Sequence, residues 1–150
     1  MDELDALQSA IGYTFADRSL LVQALTHPSY LGEHKEQSSN QRMEYLGDAV
    51  LELAVSTYLY SRLPAKAEGE LSRIRAAIVS EQPLSVAARE IDLGRYLYLS
   101  QGERAGGGAE KASILSDALE AVFGAIYLDS GFEPACAAVL RLMDARMEDI

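Results

Sequence analysis

Apolar residues follow a helical spacing along almost the whole chain. They recur three and four residues apart, and no segment alternates apolar and polar residues for long enough to indicate a sheet. Helix geometry is disfavoured just before a proline, so Pro28 and Pro64 mark two helix ends. The pattern predicts seven helices, at about residues 3–11, 19–25, 41–62, 70–80, 82–90, 111–128 and 133–150.

The connections between these helices carry turn and loop residues. Residues 32–39 are polar and predict an exposed loop, after which Asn40 is placed to cap the long third helix. Residues 101–109 include three consecutive glycines and predict a flexible loop. No internal repeat or linker divides the chain. We therefore predict one all-α domain, with about seven helices around a long central helix.

Composition narrows the functional classes. A length of 150 residues suffices for one domain with a hydrophobic core, and a net charge of −10 argues, taken alone, against a nucleic-acid partner. Cys136 is the only cysteine, which excludes an internal disulfide and a thiolate zinc cluster. No apolar run reaches membrane-spanning length, and the acidic residues 1–3 are unlike a signal peptide. We expect a cytoplasmic protein without a membrane partner.

The third predicted helix carries carboxylates along one stripe. Glu44, Asp48 and Glu52 are four residues apart, and Gln41 lies just before them. A four-residue step returns to within about 40° of the same direction, so Glu44 and Asp48 point the same way and repel each other. A solvated helix face is the ordinary explanation of such a pair taken alone, and we expect Glu52 to lie at the surface or at an interface.

The sixth predicted helix carries a second carboxylate pair. Asp117 and Glu120 are the only charged residues between positions 113 and 127, in a segment that is otherwise apolar or small. An ionised carboxylate in such surroundings requires a cation or takes up a proton. Two helices with such pairs can build an oxygen-lined site for Mg²⁺ or Mn²⁺, although a solvated pair remains open here too.

Three segments resemble motifs of the ribonuclease III family. Residues 40–51 (Asn-Gln-Arg-Met-Glu-Tyr-Leu-Gly-Asp-Ala-Val-Leu) resemble the family signature Asn-Glu-Arg-Leu-Glu-Phe-Leu-Gly-Asp-Ala-Val-Leu. Residues 68–73 (Glu-Gly-Glu-Leu-Ser-Arg) and 113–121 (Ser-Ile-Leu-Ser-Asp-Ala-Leu-Glu-Ala) are similar to two further family motifs. Weaker similarities occur at residues 25–27 and 127–129. The motifs follow the order and spacing of the family over essentially the whole chain.

The resemblance implies a fold and a chemistry. The fold is the helical endonuclease domain, and Glu44, Asp48, Asp117 and Glu120 match the catalytic carboxylates that bind metal. The implied reaction is hydrolysis of double-stranded RNA with Mg²⁺, for which Mn²⁺ substitutes, and without a small-molecule cofactor. Its products carry 5′ phosphate and 3′ hydroxyl ends. The implied processes are maturation and decay of ribosomal and messenger RNA.

Other positions match the family in part. Glu68 matches an accessory acidic residue bordering the cleft, and Gln41 stands where many members carry Glu. Tyr45 matches the aromatic residue that inserts into the partner subunit of a homodimer, with ordinary core packing as the alternative. We expect the Gln41 departure to modulate activity, because an amide keeps the hydrogen-bonding reach of the side chain.

Basic residues and histidines suggest weaker assignments. Arg104, Lys111 and Arg73 could contact RNA phosphates, and a surface or intersubunit salt bridge is an equal alternative for Arg73. His27 precedes a proline at a helix end, which favours a packed or capping role over that of a general base.

The chain ends where many members of the family continue through a linker into a double-stranded-RNA-binding domain. We expect residues 1–150 to be the catalytic domain, with that second domain absent from this chain; a naturally short relative is the alternative. Two other functions are alternatives to the nuclease. A non-catalytic RNA-binding or ribosome-associated module of the same fold is expected to lack the carboxylates. A helical metal oxidase is expected to carry Glu-x-x-His pairs, and neither His27 nor His34 belongs to one.

Overall fold

The computed structural model describes residues 3–148 and confirms the predicted all-α fold. Residues 3–148 form eight α-helices: α1 (Glu3–Ile11), α2 (Arg18–Ala24), α3 (Gln41–Arg62), α4 (Glu68–Ile78), α5 (Glu81–Glu90), α6 (Gln101–Ala105), α7 (Ala112–Ser130) and α8 (Phe132–Met147). Short 3₁₀ helices lie at Pro28–Gly32, Leu93–Tyr96 and Gly108–Glu110. Within the described residues, the one strand-like pairing is an isolated bridge between Thr26 and Tyr98.

Helix α7 lies at the centre of the domain and packs against α2, α3, α5 and α8. Eleven of its residues between Leu115 and Ile126 are buried, because nearly every face of the helix is apolar or small. Helix α3, which the sequence predicts to be central, forms the most extensive contact with α7. The centre of the fold is therefore a pair of helices, and these two helices carry the four predicted catalytic carboxylates.

Two glycines set the closest approach of α3 to α7. A Cβ atom on Gly47 would lie 1.6 Å from the carbonyl oxygen of Glu120, and one on Gly124 would lie 2.4 Å from the carbonyl oxygen of Met43. Such distances leave no room for any side chain, so glycine at both positions lets the two backbones touch. The contact aligns the turn of α3 that carries Glu44 and Asp48 with the turn of α7 that carries Glu120.

Two local predictions are wrong. Residues 101–109 are not an unstructured loop, because they form α6 and part of a 3₁₀ helix, and the Ser100 side chain caps α6 by accepting from the Glu103 N–H. Asn40 precedes α3, but its side chain does not cap that helix. Instead its Nδ2 donates to the carbonyl oxygen of Ala24 at 3.0 Å, which ties the start of α3 to the end of α2.

The segment after α2 is joined to the segment before α6. The Tyr98 N–H donates to the carbonyl oxygen of Leu25 at 2.8 Å, and the His27 N–H donates to that of Tyr98 at 3.0 Å. These bonds fix His27 next to the residues that lead into α6. Among residues 3–148, no helix combines the length and the apolar character needed to cross a membrane.

Candidate active site

Three of the four predicted carboxylates meet where α3 packs on α7. Glu44 from α3 and Asp117 and Glu120 from α7 each offer an oxygen, and these oxygens lie within 4.8 Å of one another. Asp48, one turn after Glu44, forms a side-chain hydrogen bond with Glu120. We call these four residues the carboxylate cluster. Helical spacing brings each pair to one face, and the glycine contact brings the two faces together.

The protonation of Glu120 is shifted by its burial and by the nearby carboxylates. Only 8% of its surface is exposed. Burial raises the pKa of Glu120 to about 9, helped by the hydrogen bond with Asp48 and by the negative charges of the other cluster residues. Without a cation, the Glu120 carboxyl is therefore neutral near pH 7 and can donate a hydrogen bond to Asp48.

The pKa values of Glu44 and Asp117 are raised as well. Burial raises the pKa of Glu44, and repulsion from Asp117 and Asp48 adds to the increase. Burial likewise raises the pKa of Asp117, and repulsion from Glu81 adds to it. Because every shift opposes ionisation, a bound cation would relieve an unfavourable concentration of negative charge.

The chemistry of these donors fits a hard divalent cation. Carboxylate oxygens are the protein ligands that Mg²⁺ and Mn²⁺ prefer, and three of them lie close enough together to bind one ion. The cluster contains no sulfur or imidazole ligand, so it is not suited to the softer metals. The carboxylate cluster is the group within residues 3–148 best suited to hold a metal.

We expect the stability of the metal-free protein to fall as pH rises from about 4.5 to about 9, because Glu120 then ionises in the unfolded chain and stays protonated in the folded one. Adding Mn²⁺ should raise Tm more at pH 8 than at pH 5, since the ion favours ionised ligands. Thermal unfolding in EDTA and in Mn²⁺ at the two pH values measures this. A larger increase at pH 5 would contradict the assigned ionisation.

Comparison with known proteins assigns the family. The Ribonuclease-III-like family matches residues 17–146, which is most of the chain. The chain belongs to the ribonuclease III family. It is 48% identical over 145 residues to Ribonuclease 3 of Syntrophobacter fumaroxidans, covering 95% of this chain and 60% of that protein. It is 45% identical over 150 residues to Ribonuclease 3 of Campylobacter jejuni subsp. doylei, covering 100% of this chain and 65% of that protein. The chain thus spans less than two thirds of the length of these relatives.

Solved structures agree with this ribonuclease III assignment. The crystal structure of the nuclease domain of ribonuclease III from Campylobacter jejuni has a TM-score of 0.91 and 44% identity, covering 100% of this chain and 99% of that one. A Dicer structure from Pichia stipitis has a TM-score of 0.64 at 21% identity, covering 89% of this chain and 57% of that one, and it shares the fold. The all-helical fold is that of a ribonuclease III nuclease domain.

Glu68 and Gln41, the two accessory positions of the ribonuclease III comparison, lie outside the carboxylate cluster. Glu68 is exposed at the start of α4, where its Oε2 accepts a hydrogen bond from Ser72 Oγ at 2.5 Å. Gln41 is exposed at the start of α3 and lines a cavity of about 600 Å³ next to Tyr45. Within one chain, neither side chain joins the three carboxylates that meet.

The predicted RNA contacts have different surroundings. Arg73 is exposed, and within residues 3–148 it has no acidic partner. Lys111 forms an ion pair with Glu103 at 2.8 Å, and Arg104 donates to the carbonyl oxygen of Leu97 at 2.5 Å. Arg73 is therefore the one of the three that is free to bind an anion without breaking a contact.

Sequence reasoning missed two polar groups near Asp117. Glu81 repels it from the start of α5, and the charge of Asp117 acts on His27, which is also near Glu103 and Lys111. The sequence contains no signal for the Glu81 neighbour, because it results from the packing of α5 against α7. The sequence indicates a packed or capping role for His27, and the structure shows the capping role. The sequence contains no signal for the proximity of His27 to the carboxylate cluster.

Proposed function

We propose that this chain is a Mg²⁺-dependent endoribonuclease specific for double-stranded RNA, leaving 5′ phosphate and 3′ hydroxyl ends. The observation that carries the proposal is the meeting of Glu44, Asp117 and Glu120 oxygens within 4.8 Å in a chain of the ribonuclease III family. A non-catalytic RNA-binding module is not expected to keep buried carboxylates that oppose one another's ionisation. Residues 1–150 act as the catalytic domain.

The cluster residues have distinct roles in this proposal. Glu44, Asp117 and Glu120 would supply oxygens to the metal, and Asp48, whose carboxyl lies beside that of Glu120, would add a fourth carboxylate once metal binding has ionised Glu120. A bound divalent ion lowers the pKa of water and stabilises negative charge on a phosphate in the transition state. Mn²⁺ is expected to substitute for Mg²⁺, because both prefer oxygen ligands.

The acidity of the chain limits how it can bind RNA. At a net charge of −10, affinity cannot come from overall electrostatic attraction. We propose that the ion in the carboxylate cluster provides the main phosphate contact, with Arg73 as a local addition. Arg104 and Lys111 contribute after exchanging their present partners. Because few cations contact the RNA, binding should depend only weakly on salt concentration.

The test of this function uses the purified chain and three substrates: duplex RNA, single-stranded RNA and duplex DNA of the same sequence. Cleavage of duplex RNA alone, in Mg²⁺ and not in EDTA, is the expected result. Products should accept a 3′ adapter directly, and they should require phosphatase before a kinase can label their 5′ ends. Equal cleavage of all three substrates, or cleavage in EDTA, would refute the proposal.

We also propose that the chain is a homodimer that uses an apolar stripe on α3. Tyr45, Leu53 and Tyr60 are 82%, 55% and 78% exposed, an unusual exposure for large apolar residues along one helix. The cavity of about 600 Å³ beside Tyr45, lined in part by Leu46 and Leu128, could receive an aromatic side chain of a second copy. A structure of the related Campylobacter jejuni domain concerns flexibility in a region involved in dimer formation, which supports this arrangement.

Replacing Tyr45 with aspartate should weaken the dimer, because the change would place an unpaired charge in an apolar contact. We expect the Kd of the dimer to increase at least tenfold in analytical ultracentrifugation, with an unchanged Tm for the monomer. Ser9→Asp, which adds the same charge at an exposed position of α1, is the control and should leave the Kd unchanged. A Tyr45→Asp protein that associates like the unaltered chain would contradict the assigned interface.

The cellular role follows from this activity. We propose that the enzyme acts in the cytoplasm on structured ribosomal and messenger RNA, in maturation and decay. The partners of the protein are then duplex RNA and a second copy of itself, with no membrane and no small-molecule cofactor. The retention of all four motif carboxylates supports this role over that of a non-catalytic relative.

A further inference from the structure

His27 has one ring nitrogen fully engaged by the protein. It precedes the 3₁₀ helix Pro28–Gly32, and its Nδ1 accepts the backbone N–H of Ser29 at 3.0 Å. A backbone N–H can only donate, so Nδ1 must carry its lone pair and no proton. Burial also lowers the pKa of His27, which favours the neutral ring. The neutral ring therefore carries its proton on Nε2.

The orientation of the ring is fixed by a chain of hydrogen bonds. Ser29 Oγ lies 2.9 Å from Nδ1 and accepts the backbone N–H of Ser100 at 3.0 Å. Ser100 Oγ in turn accepts the backbone N–H of Glu103 at 3.0 Å. The backbone of His27 is also held by the bond from its N–H to the carbonyl oxygen of Tyr98. The ring is thus tied to the segment that leads into α6 and α7.

The Nε2–H group of His27 has no acceptor within the described part of the chain. Among residues 3–148 no hydrogen-bond partner exists for this atom, and it is not one of the fully enclosed side-chain nitrogens. The charged groups that act on the ring are Glu103, Asp117 and Lys111. An accessible hydrogen-bond donor, fixed in direction, therefore lies near the part of the carboxylate cluster formed by Asp117.

We propose that His27 is a substrate-contacting residue whose Nε2–H donates a hydrogen bond to a phosphate oxygen of RNA bound at the carboxylate cluster. The inference rests on the proposed function. The carboxylate oxygens of the cluster repel phosphate oxygens. The neighbouring Nε2–H of His27 can instead donate a hydrogen bond to a phosphate oxygen. The basic lone pair of the neutral ring is on Nδ1 and accepts the Ser29 N–H. His27 therefore does not act as a general base here.

The test replaces His27 with asparagine, which can still accept the Ser29 N–H through Oδ1, as capping asparagines do. Its amide N–H₂ is attached directly to Cγ and therefore falls short of the position of Nε2. We expect single-turnover cleavage of duplex RNA in Mg²⁺ to fall about ten- to a hundredfold, the range for a lost hydrogen bond to a charged group. Tm and Mn²⁺ affinity should not change. His34→Asn is the matched control, because His34 stacks on Tyr30 and does not act on the cluster. It should cleave normally.

The pH profile separates this role from others. His27→Asn should lower the rate by the same factor at every pH, whereas loss of a general base would flatten the acidic limb of the profile. If His27→Asn lowers Tm, His27→Ser provides a second capping residue, one that has no side-chain N–H, and it should show the same fall in rate. Cleavage within about twofold of the unaltered chain by a stably folded variant overturns the His27 contact alone. No cleavage by the unaltered chain overturns the proposed function.

Discussion

Glu120→Gln should abolish most RNA cleavage while the domain stays folded. The substitution keeps the shape of the side chain and removes a ligand oxygen and its charge from the most buried member of the carboxylate cluster. We expect a fall of about 10²–10³-fold in kcat, the size of effect seen when a major electrostatic contact in a transition state is lost. Single-turnover cleavage of duplex RNA at saturating Mg²⁺ measures it.

The fold should tolerate this change because Glu120 is already neutral near pH 7 when no cation is bound. The amide of glutamine can still donate to Asp48, as the protonated acid does. Glu52→Gln is the matched control, since Glu52 continues the same stripe of α3 and lies outside the cluster. Near-normal turnover by Glu120→Gln would contradict the assignment of Glu120 as a metal ligand. An equal loss of cleavage in Glu52→Gln would contradict it as well.

Gly47→Ala should be among the most destabilising single substitutions in this chain. Its Cβ would meet the carbonyl oxygen of Glu120 at 1.6 Å, so α3 and α7 would have to move apart. Overpacking of a core costs about 1–3 kcal/mol, and a clash with backbone atoms belongs at the upper end of that range. Urea unfolding measures the loss in free energy of unfolding. Cleavage should fall as well, because the separation moves Glu44 and Asp48 away from Glu120.

Gly102→Ala provides the comparison for this experiment. Gly102 lies in α6, and a Cβ there would meet nothing within 4 Å. Alanine is favoured over glycine in a helix by about 0.5–1 kcal/mol, so this variant should be equally stable or slightly more stable. A Gly47→Ala protein with unchanged stability would show that the two helices are not held together by this contact.

Local patterns in the sequence predict the helices and the helix face on which each pair of carboxylates lies. Helix α1 has the predicted bounds, and α3 ends at Arg62 as predicted, because apolar spacing and proline act over a few residues. The spacing of Glu44 to Asp48 and of Asp117 to Glu120 likewise fixes each pair on one face. These features depend on residues that are close together in the chain. They can therefore be predicted from a single sequence.

Features that depend on distant residues were not predictable in the same way. The Asn40 side chain bonds to the carbonyl oxygen of Ala24 instead of capping its own helix, a choice made by the packing of α2 on the start of α3. The glycine-rich segment forms α6 because Ser100 caps it and Arg104 bonds back to Leu97. The proximity of Glu81 to Asp117 likewise requires the assembled helices.

We expect the carboxylate cluster to bind a divalent metal and to release a proton when it does so. Calorimetric titration of Mn²⁺ at pH 7.5, in two buffers with different ionisation enthalpies, gives the number of protons released. Since the pKa of Glu120 is about 9 without a cation, binding should release close to one proton from the unaltered chain. Glu120→Gln should bind Mn²⁺ more weakly and release almost none. Equal affinity and equal proton release in the two proteins would show that Mn²⁺ does not bind at the carboxylate cluster.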